Sequence, residues 1–218
     1  MKNKIIAVIP ALNEEATIGN VLKNVKKYVD GIIVVDDGSS DNTYNISKKY
    51  AVVLRHKKNQ GYDKSLNDGF KLAKRKNAKI IITMDADGQH LASDIPKFIK
   101  SIIGKKADIA VGKRPYKSRF MEHVFGNYGK KIGISDPLCG MKAYDSEIYK
   151  KIGFFDNIGS IGTQSLFLAS KKGYKLKEIP IKLRKRKDTP RFGRKIKANL
   201  KLFFAYLRLR RYLNKNKQ

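Results

Sequence analysis

The densest chemistry in the chain is Met84-Asp85-Ala86-Asp87-Gly88-Gln89-His90, directly after the apolar run Ile80-Ile81-Ile82-Thr83. β-Branched residues that end in two acids and a glycine read as a buried strand carrying carboxylates into a cleft. Open α/β sheets bind their ligands at such strand ends. In extended backbone Asp85 and Asp87 point to the same side, so both can reach one hard divalent cation, Mg²⁺ or Mn²⁺, of the kind that carries phosphates. Taken alone, Asp-Ala-Asp-Gly is equally a turn after a strand.

Two more strand ends have a similar make-up. The first apolar run ends in Pro10-Ala11-Leu12-Asn13-Glu14-Glu15 and the second in Val34-Val35-Asp36-Asp37-Gly38-Ser39-Ser40-Asp41-Asn42-Thr43. Acids and small turn residues on neighbouring strand ends make a pocket for a polar heterocycle and a ribose, with carboxylates accepting N–H and O–H protons. Helix capping by Asn13 and Asp41 accounts for those two residues separately. It does not account for Asp36 beside Asp37, which repel unless something pairs with them; a ligand role is expected for at least one. His90 either supports the metal motif from behind or packs. His56 and His123 are expected at the surface, and the three histidines are too scattered for a histidine metal site.

The elements that would hold these ends alternate. Apolar runs at 5–9, 32–35, 52–54, 80–84 and 109–111 read as strands, with amphipathic helices at 15–29, 43–50, 62–76 and 95–103 between them. Strand and helix in turn predict an α/β fold with a mostly parallel sheet covered on both faces. Ile18, Leu22, Val25 and Val29 form an ordinary core stripe on the first helix. Past Gly112 the pattern loosens through 113–135. Helices are expected at 147–152 and 163–172, a strand at 177–182, a basic loop at 184–194 and a terminal helix at 195–213. In that helix Lys197, Lys201, Arg208 and Arg211 fall to one side of a broad apolar face made by Ile196, Leu200, Leu202, Phe203, Tyr206, Leu207 and Leu209. The face suits either a lipid surface or the rest of the domain. The division expected is a domain at 1–182 followed by a basic segment at 183–218.

With 218 residues, 41% of them hydrophobic, the chain is long enough for one domain with a real core. The single cysteine, Cys139, excludes an intrachain disulfide and a cysteine zinc cage, as suits a reducing compartment. Met1 runs straight into residues 5–9, too short an apolar stretch for a signal segment or a spanning helix. The net charge of +29, from 48 Lys and Arg against 19 Asp and Glu, calls for an anionic partner: nucleic acid, anionic lipid or a phosphorylated substrate. From Arg184 onward the only acid is Asp188.

Five segments together resemble a family. Ile-Pro-Ala-Leu-Asn-Glu-Glu, Val-Val-Asp-Asp-Gly-Ser-Ser-Asp-Asn-Thr, Asn59-Gln60-Gly61, Asp-Ala-Asp-Gly-Gln-His and Asp136-Pro137-Leu138-Cys139-Gly140-Met141-Lys142 occur in the order and spacing of family 2 glycosyltransferases with the GT-A fold. The likeness runs from about Ile5 to Ile181 and is nearest to the dolichyl- or polyprenyl-phosphate mannose and glucose synthases. It implies an inverting, metal-dependent transferase that moves a hexose from a nucleotide sugar to a polyprenyl phosphate at the cytoplasmic face of the membrane. By the same resemblance Pro10, Leu12, Glu14, Val35 and Asp37 contact the base and ribose, and Ala86 belongs to the donor site. Asp85, Asp87 and Gln89 would meet the metal, Arg114 the donor phosphates, and Asp136 the acceptor side. Arg186, Arg191 and Lys195 stand for the basic residues of a loop over the diphosphate.

One position departs from the pattern. The helix after Gly162 resembles a family segment that ends in glutamate, and Gln164 stands there instead. An amide cannot take a proton from an acceptor hydroxyl, whereas a phosphate acceptor is already an anion and needs no base. Asp136 or Asp156 are the acids that could substitute. Two other readings remain: transfer to a glycan or other hydroxyl acceptor, and a basic binding module for nucleic acid or anionic lipid. Nucleic acid is disfavoured, since no recognised nucleic-acid motif accompanies the charge. Nucleotidyl transfer would want glycine and lysine in the loop after the first strand, and Pro10–Glu15 contains neither.

Overall fold

A computed structural model of the chain describes residues 3–184 and 195–215. The apolar runs form strands β1 (Ile5–Ala11), β2 (Gly31–Asp36), β3 (Val52–Arg55), β4 (Ile80–Thr83) and β5 (Ile109–Lys113). Helices α1 (Ile18–Val25), α2 (Thr43–Lys48), α3 (Tyr62–Arg75) and α4 (Ile95–Ile103) lie between them. With β6 (Lys142–Asp145) and the edge strand β7 (Leu176–Pro180) these strands make a seven-stranded sheet of order β3-β2-β1-β4-β6-β5-β7. Alternate residues of β1 feed opposite faces: Ala7 and Ile9 pack with Ile18, Leu22 and Phe98, while Ile6 and Val8 pack with Leu66 and Phe70. Burial on both faces is why these strands read as continuous apolar runs.

Two elements escaped the sequence pattern. Strand β6 (Lys142–Asp145) runs antiparallel between β4 and β5, and its polar ends hid it. Helix α5 (Phe120–Gly129) lies in the segment that loosened, because glycines interrupt it. Those glycines are close approaches: a Cβ at Gly126 would sit 2.5 Å from the Ser135 carbonyl oxygen, and one at Gly129 would sit 2.3 Å from that of Ile134. Helix α1 starts at Ile18, not at residue 15, since the preceding residues form a turn in which the Thr17 and Ile18 amides both donate to the Glu14 carbonyl.

Helices α6 (Ser146–Ile152) and α7 (Thr163–Lys171) complete the face of the sheet covered by α3. The terminal helix α8 (Lys195–Lys215) packs through Leu202, Ala205 and Leu209 against Met121, Phe125, Leu138 and Phe167. No helix of the described residues is long and apolar enough to cross a membrane. The sheet and α3 meet most tightly at Gly69, where a Cβ would lie 2.2 Å from Val8 Cγ1 and 3.2 Å from Val35 Cγ2. Val8 and Val35 are fully buried and stiff at χ1, so neither can give way. Gly69→Ala is therefore expected to destabilise the fold by about 1–3 kcal/mol despite alanine's better helix propensity. A urea unfolding midpoint at or above that of the native chain would contradict it.

Candidate active site

The carboxyl ends of β1, β2 and β4 share one edge of the sheet, and their loops are tied together. Asn13 Oδ1 accepts the Ser40 amide (2.8 Å), the Asn13 amide donates to Ser39 Oγ (2.9 Å), and the Glu14 amide donates to Thr43 Oγ1 (2.6 Å). Asp41 accepts the Thr43 amide at the start of α2 (3.0 Å) and also that of Glu15 (3.1 Å). Of the two expected caps only Asp41 meets its helix; Asn13 bridges loops.

The adjacent acids find partners within the chain. Asp36 accepts the Ser39 amide and pairs with Arg55 Nε, both at 3.0 Å. Asp37 accepts the Gln60 and Gly61 amides at 2.8 Å each and meets His56 Nδ1 at 2.7 Å. Asp37 thus shapes the Asn59-Gln60-Gly61 turn. His56, expected at the surface, is buried, with its Nε2 3.2 Å from Asp68. Its partners are distant in sequence, so spacing carried no hint of them. His123 is exposed, as expected. Pro10 and Glu14 are buried and Leu12 is half-buried at the end of β1. The Val35 side chain belongs to the core under α3, leaving its backbone as what it can offer a ligand. Thr17 Oγ1 lies 3.0 Å from Glu14 Oε2 and 2.8 Å from the Ala86 carbonyl oxygen, joining the first strand end to the Asp-Ala-Asp turn.

Asp85 follows β4 and rests against bare backbone. A Cβ at Gly140 would lie 2.3 Å from Asp85 Oδ2, so only glycine permits this approach. Tyr62 Oη donates to Asp85 Oδ1 (3.1 Å), and His90 Nδ1 stands 3.7 Å from Oδ2. His90 reaches the buried Cys139 on its other side, Nε2 to Sγ 3.9 Å. Burial pushes the Cys139 thiol up to about 12, so it stays protonated. Asp87 Oδ1 accepts the Gln89 amide (3.0 Å), and the Gln89 carbonyl accepts the Arg184 amide (2.9 Å). Among the described residues no three His, Cys, Asp or Glu side chains gather around a metal position. Two carboxylates and an amide oxygen nonetheless fit a hard cation whose remaining ligands are water and phosphate, and the Gly140 cradle leaves room for the Asp85 carboxylate. Arg186 and Arg191 lie outside the described residues, as does the Lys195 side chain.

Arg114 and Asp136 are brought together. The guanidinium grips Asp136 at two points, Nε to Oδ2 and Nη2 to Oδ1, both 2.8 Å, and the Arg114 amide adds a third bond at 3.0 Å. Nη1 is 3.3 Å from Glu122 Oε1. Burial alone would raise the Asp136 carboxyl; the Arg114 hydrogen bonds and charge outweigh it and hold the group below its ordinary value. Glu178 on β7 fixes the segment from beneath by accepting the Ser135 and Asp136 amides at 2.7 and 2.8 Å.

Gln164 is buried and its Oε1 accepts the Asn157 amide at 2.8 Å. Asp156 spends both oxygens on its own loop: Oδ1 accepts the Ile158 (2.9 Å) and Ser160 (3.0 Å) amides, and Oδ2 takes the Gly162 amide (2.9 Å) and the Ser160 hydroxyl. The acid that the sequence reading passed over is Asp63, in the first turn of α3. Its Oδ2 accepts the Ile161 amide (3.4 Å), and its Oδ1 is buried without a hydrogen-bond partner. Ile161 has φ 56°, a region that β-branched residues rarely enter. Its carbonyl accepts from Lys142 Nζ at 3.1 Å, and the same ammonium donates to the Cys139 carbonyl at 2.7 Å. Lys142, only 1% exposed, thereby links the Cys-Gly segment to the 156–162 loop. The position of Tyr62-Asp63 directly after Asn59-Gln60-Gly61 was the available signal.

Burial and the nearby charge of Asp156 push the Asp63 carboxyl from 3.8 up to about 7. An acid raised by folding costs nothing below its unfolded value, where both states are protonated; the cost grows as pH rises and is complete above the folded value. Asp63→Asn is therefore expected to raise the melting temperature at pH 8 and to leave it nearly unchanged at pH 3. An equal shift at both pH values would contradict this.

Comparison with known proteins agrees with the geometry. The model of glycosyl transferase family 2 matches residues 6–168. An uncharacterised protein of Methanocaldococcus jannaschii is 38% identical over 198 residues, 83% of this chain and 82% of that one. The UDP-N-acetylglucosamine–dolichyl-phosphate N-acetylglucosaminyltransferase of Methanococcus voltae is 30% identical, with 96% of this chain and 98% of that protein covered. Glucosyl-3-phosphoglycerate synthase of Mycobacterium tuberculosis, solved with phosphoglyceric acid, superimposes with a TM-score of 0.74 over 95% of this chain and 80% of that one at 18% identity, which shows the shared GT-A fold. A strand edge that sets paired carboxylates beside an acid-organised turn, on this fold and with these relatives, makes the chain a glycosyltransferase of family 2, grouped with the polyprenyl-phosphate sugar transferases.

Proposed function

We propose that the chain transfers a hexose or N-acetylhexosamine from a nucleotide-diphosphate sugar to a polyprenyl phosphate, with inversion, at the cytoplasmic face of the cell membrane. The observation that carries this reading is the Asp85 carboxylate set into the Gly140 cradle, with Asp87 two residues on, beside the turn that Asp37 organises. Residues 1–182 hold the transfer chemistry and 183–218 the basic segment.

The β1 and β2 ends, with Pro10, Leu12, Glu14, the Val35 backbone and Asp37, receive the base and ribose. Asp85, Asp87 and Gln89 would hold Mg²⁺ or Mn²⁺, in the donor site to which Ala86 belongs. Bound there, the cation stabilises the charge that develops on the leaving nucleoside diphosphate. Tyr62 and the Gly140 backbone keep the Asp85 carboxylate aimed. Arg186, Arg191 and Lys195 add positive charge over the diphosphate. Arg114, expected at the donor phosphates, has both edges engaged by Asp136 and Glu122, and belongs instead with Asp136 on the acceptor side.

Acceptor chemistry follows from the acids. Gln164 cannot act as a base, and Asp136 and Asp156 are bound by internal donors. A phosphate acceptor attacks without deprotonation, so it needs none of these three groups as a base. Support also comes from the Methanococcus voltae relative and from the dolichol-phosphate mannosyltransferase of Pyrococcus furiosus, 30% identical over 94% of this chain and 62% of that protein. A hydroxyl acceptor would instead draw on Asp63, whose carboxyl burial and Asp156 push up to about 7.

Calorimetric titration with a panel of nucleotide sugars, UDP-N-acetylglucosamine first, each with Mn²⁺ and then EDTA, tests the reading. One donor is expected to bind with metal and fail without it. Asp87→Ala is expected to abolish that metal-dependent binding while the melting temperature holds. Turnover by the variant without metal would overturn the site, and no donor binding across the panel would overturn the function.

A further inference from the structure

Helix α8 carries two apolar faces, not one. Ala198, Leu202, Ala205 and Leu209 are buried on the domain. Leu200, Phe203, Phe204 and Leu207 recur at i, i+3, i+4 and i+7 and are exposed, and at about 100° per residue they lie on the opposite side of the helix. A separate segment adds to this stripe. The Met121 amide donates to Asn199 Oδ1 (3.0 Å), docking the first turn of α5 beside α8. Next to Met121, Phe120 is 72% exposed, and Tyr116 just before the helix is 58% exposed. Of the eight large apolar side chains exposed among the described residues, these two segments supply six. So much apolar surface in one corner marks an interaction site rather than scattered exposure.

We propose that Tyr116, Phe120 and the outward stripe of α8 form a single docking face for an anionic lipid bilayer; this rests on the polyprenyl-phosphate reading above. Helix α8 contains no acid, and Lys201, Arg208, Arg210, Arg211 and Lys215 are exposed around the stripe. Apolar side chains enter the boundary between headgroups and acyl chains while the cations meet anionic headgroups. A second copy of the chain fits less well, because each copy carries +29 and would oppose cation to cation. Nucleic acid would satisfy the cations and leave the stripe Leu200, Phe203, Phe204 and Leu207 without an apolar partner. The face also touches the site. Glu122, in the same turn as Phe120, pairs with both Arg119 and Arg114, and Arg114 holds Asp136. A lipid-borne phosphate docked here arrives on the Asp136 side.

Co-sedimentation of the full chain with vesicles tests the face, using phosphatidylcholine alone and phosphatidylcholine mixed with phosphatidylglycerol. The native chain is expected to partition onto the anionic vesicles and weakly onto the neutral ones. Phe120→Ser, and separately the double change Phe203→Ser with Phe204→Ser, should each lower anionic partitioning by about tenfold, the scale of losing a buried phenyl ring. Val52→Ser, at an exposed apolar residue far away on β3, should change nothing; equal melting temperatures check that all variants fold. Unchanged partitioning in Phe120→Ser overturns the two-segment face, and equal binding to neutral vesicles overturns its charge component. Loss of duplex-oligonucleotide binding or of self-association in place of vesicle binding overturns the lipid assignment. Donor titration keeps the two readings apart: vesicle binding without any donor binding sinks the transferase function and leaves the face standing.

Discussion

The antiparallel insertion of β6 between β4 and β5 is the constraint from which the site follows. Its register places Lys142 beside Thr83 on one side and Val111 on the other. The residues just before it, Cys139 and Gly140, must then lie against the end of β4, where Thr83 Oγ1 donates to the Gly140 carbonyl at 2.7 Å. Gly140 meets the Asp85 carboxylate only because it has no side chain. From the same register Lys142 is carried into the interior, where two carbonyls receive its ammonium, and Asp136 is delivered to Arg114. A parallel strand at this position would present the other end of the segment to the site and make none of these contacts.

A strongly basic chain also keeps its few acids occupied. Asp36, Asp37, Asp136, Asp156, Glu122 and Glu178 each hold a loop or a cation in place through amides, arginine or histidine. Buried carboxylates are tolerated only when hydrogen-bonded or paired, so each marks a place where backbone geometry is held tightly. Asp63 differs: burial and a neighbouring acid push its carboxyl up to about 7, and its Oδ2 accepts the amide of Ile161, a residue in a strained conformation. Strain of that kind collects at functional sites, and here it sits in the loop that α8 also pins through Arg208 Nε and the Ile158 carbonyl at 2.6 Å.

Much of the fold was legible because its strands are buried on both faces and its helices are striped at 3.6 residues. The strand ends with their acids, the Asp-Ala-Asp turn and the Cys-Gly segment were equally plain as local patterns. Helix α5 was not, since its glycines look like breaks until the backbone they pack against is known. Strand β6 was not, since a lysine and an aspartate bound it. His56 was misplaced at the surface because Asp37 and Asp68, its partners, are neighbours only in space.

The sequence by itself determined the family, the α/β alternation and which short segments carry chemistry, because periodicity and motif spacing are local properties of the chain. Tertiary structure decided what each acid is bound to, that Arg114 grips Asp136, and that the apolar face of α8 divides into one side for the domain and one for the outside. Those outcomes depend on what lies across a gap of a few ångströms, and a hydrogen bond or a van der Waals contact forms between residues that fold together, whatever their separation along the chain.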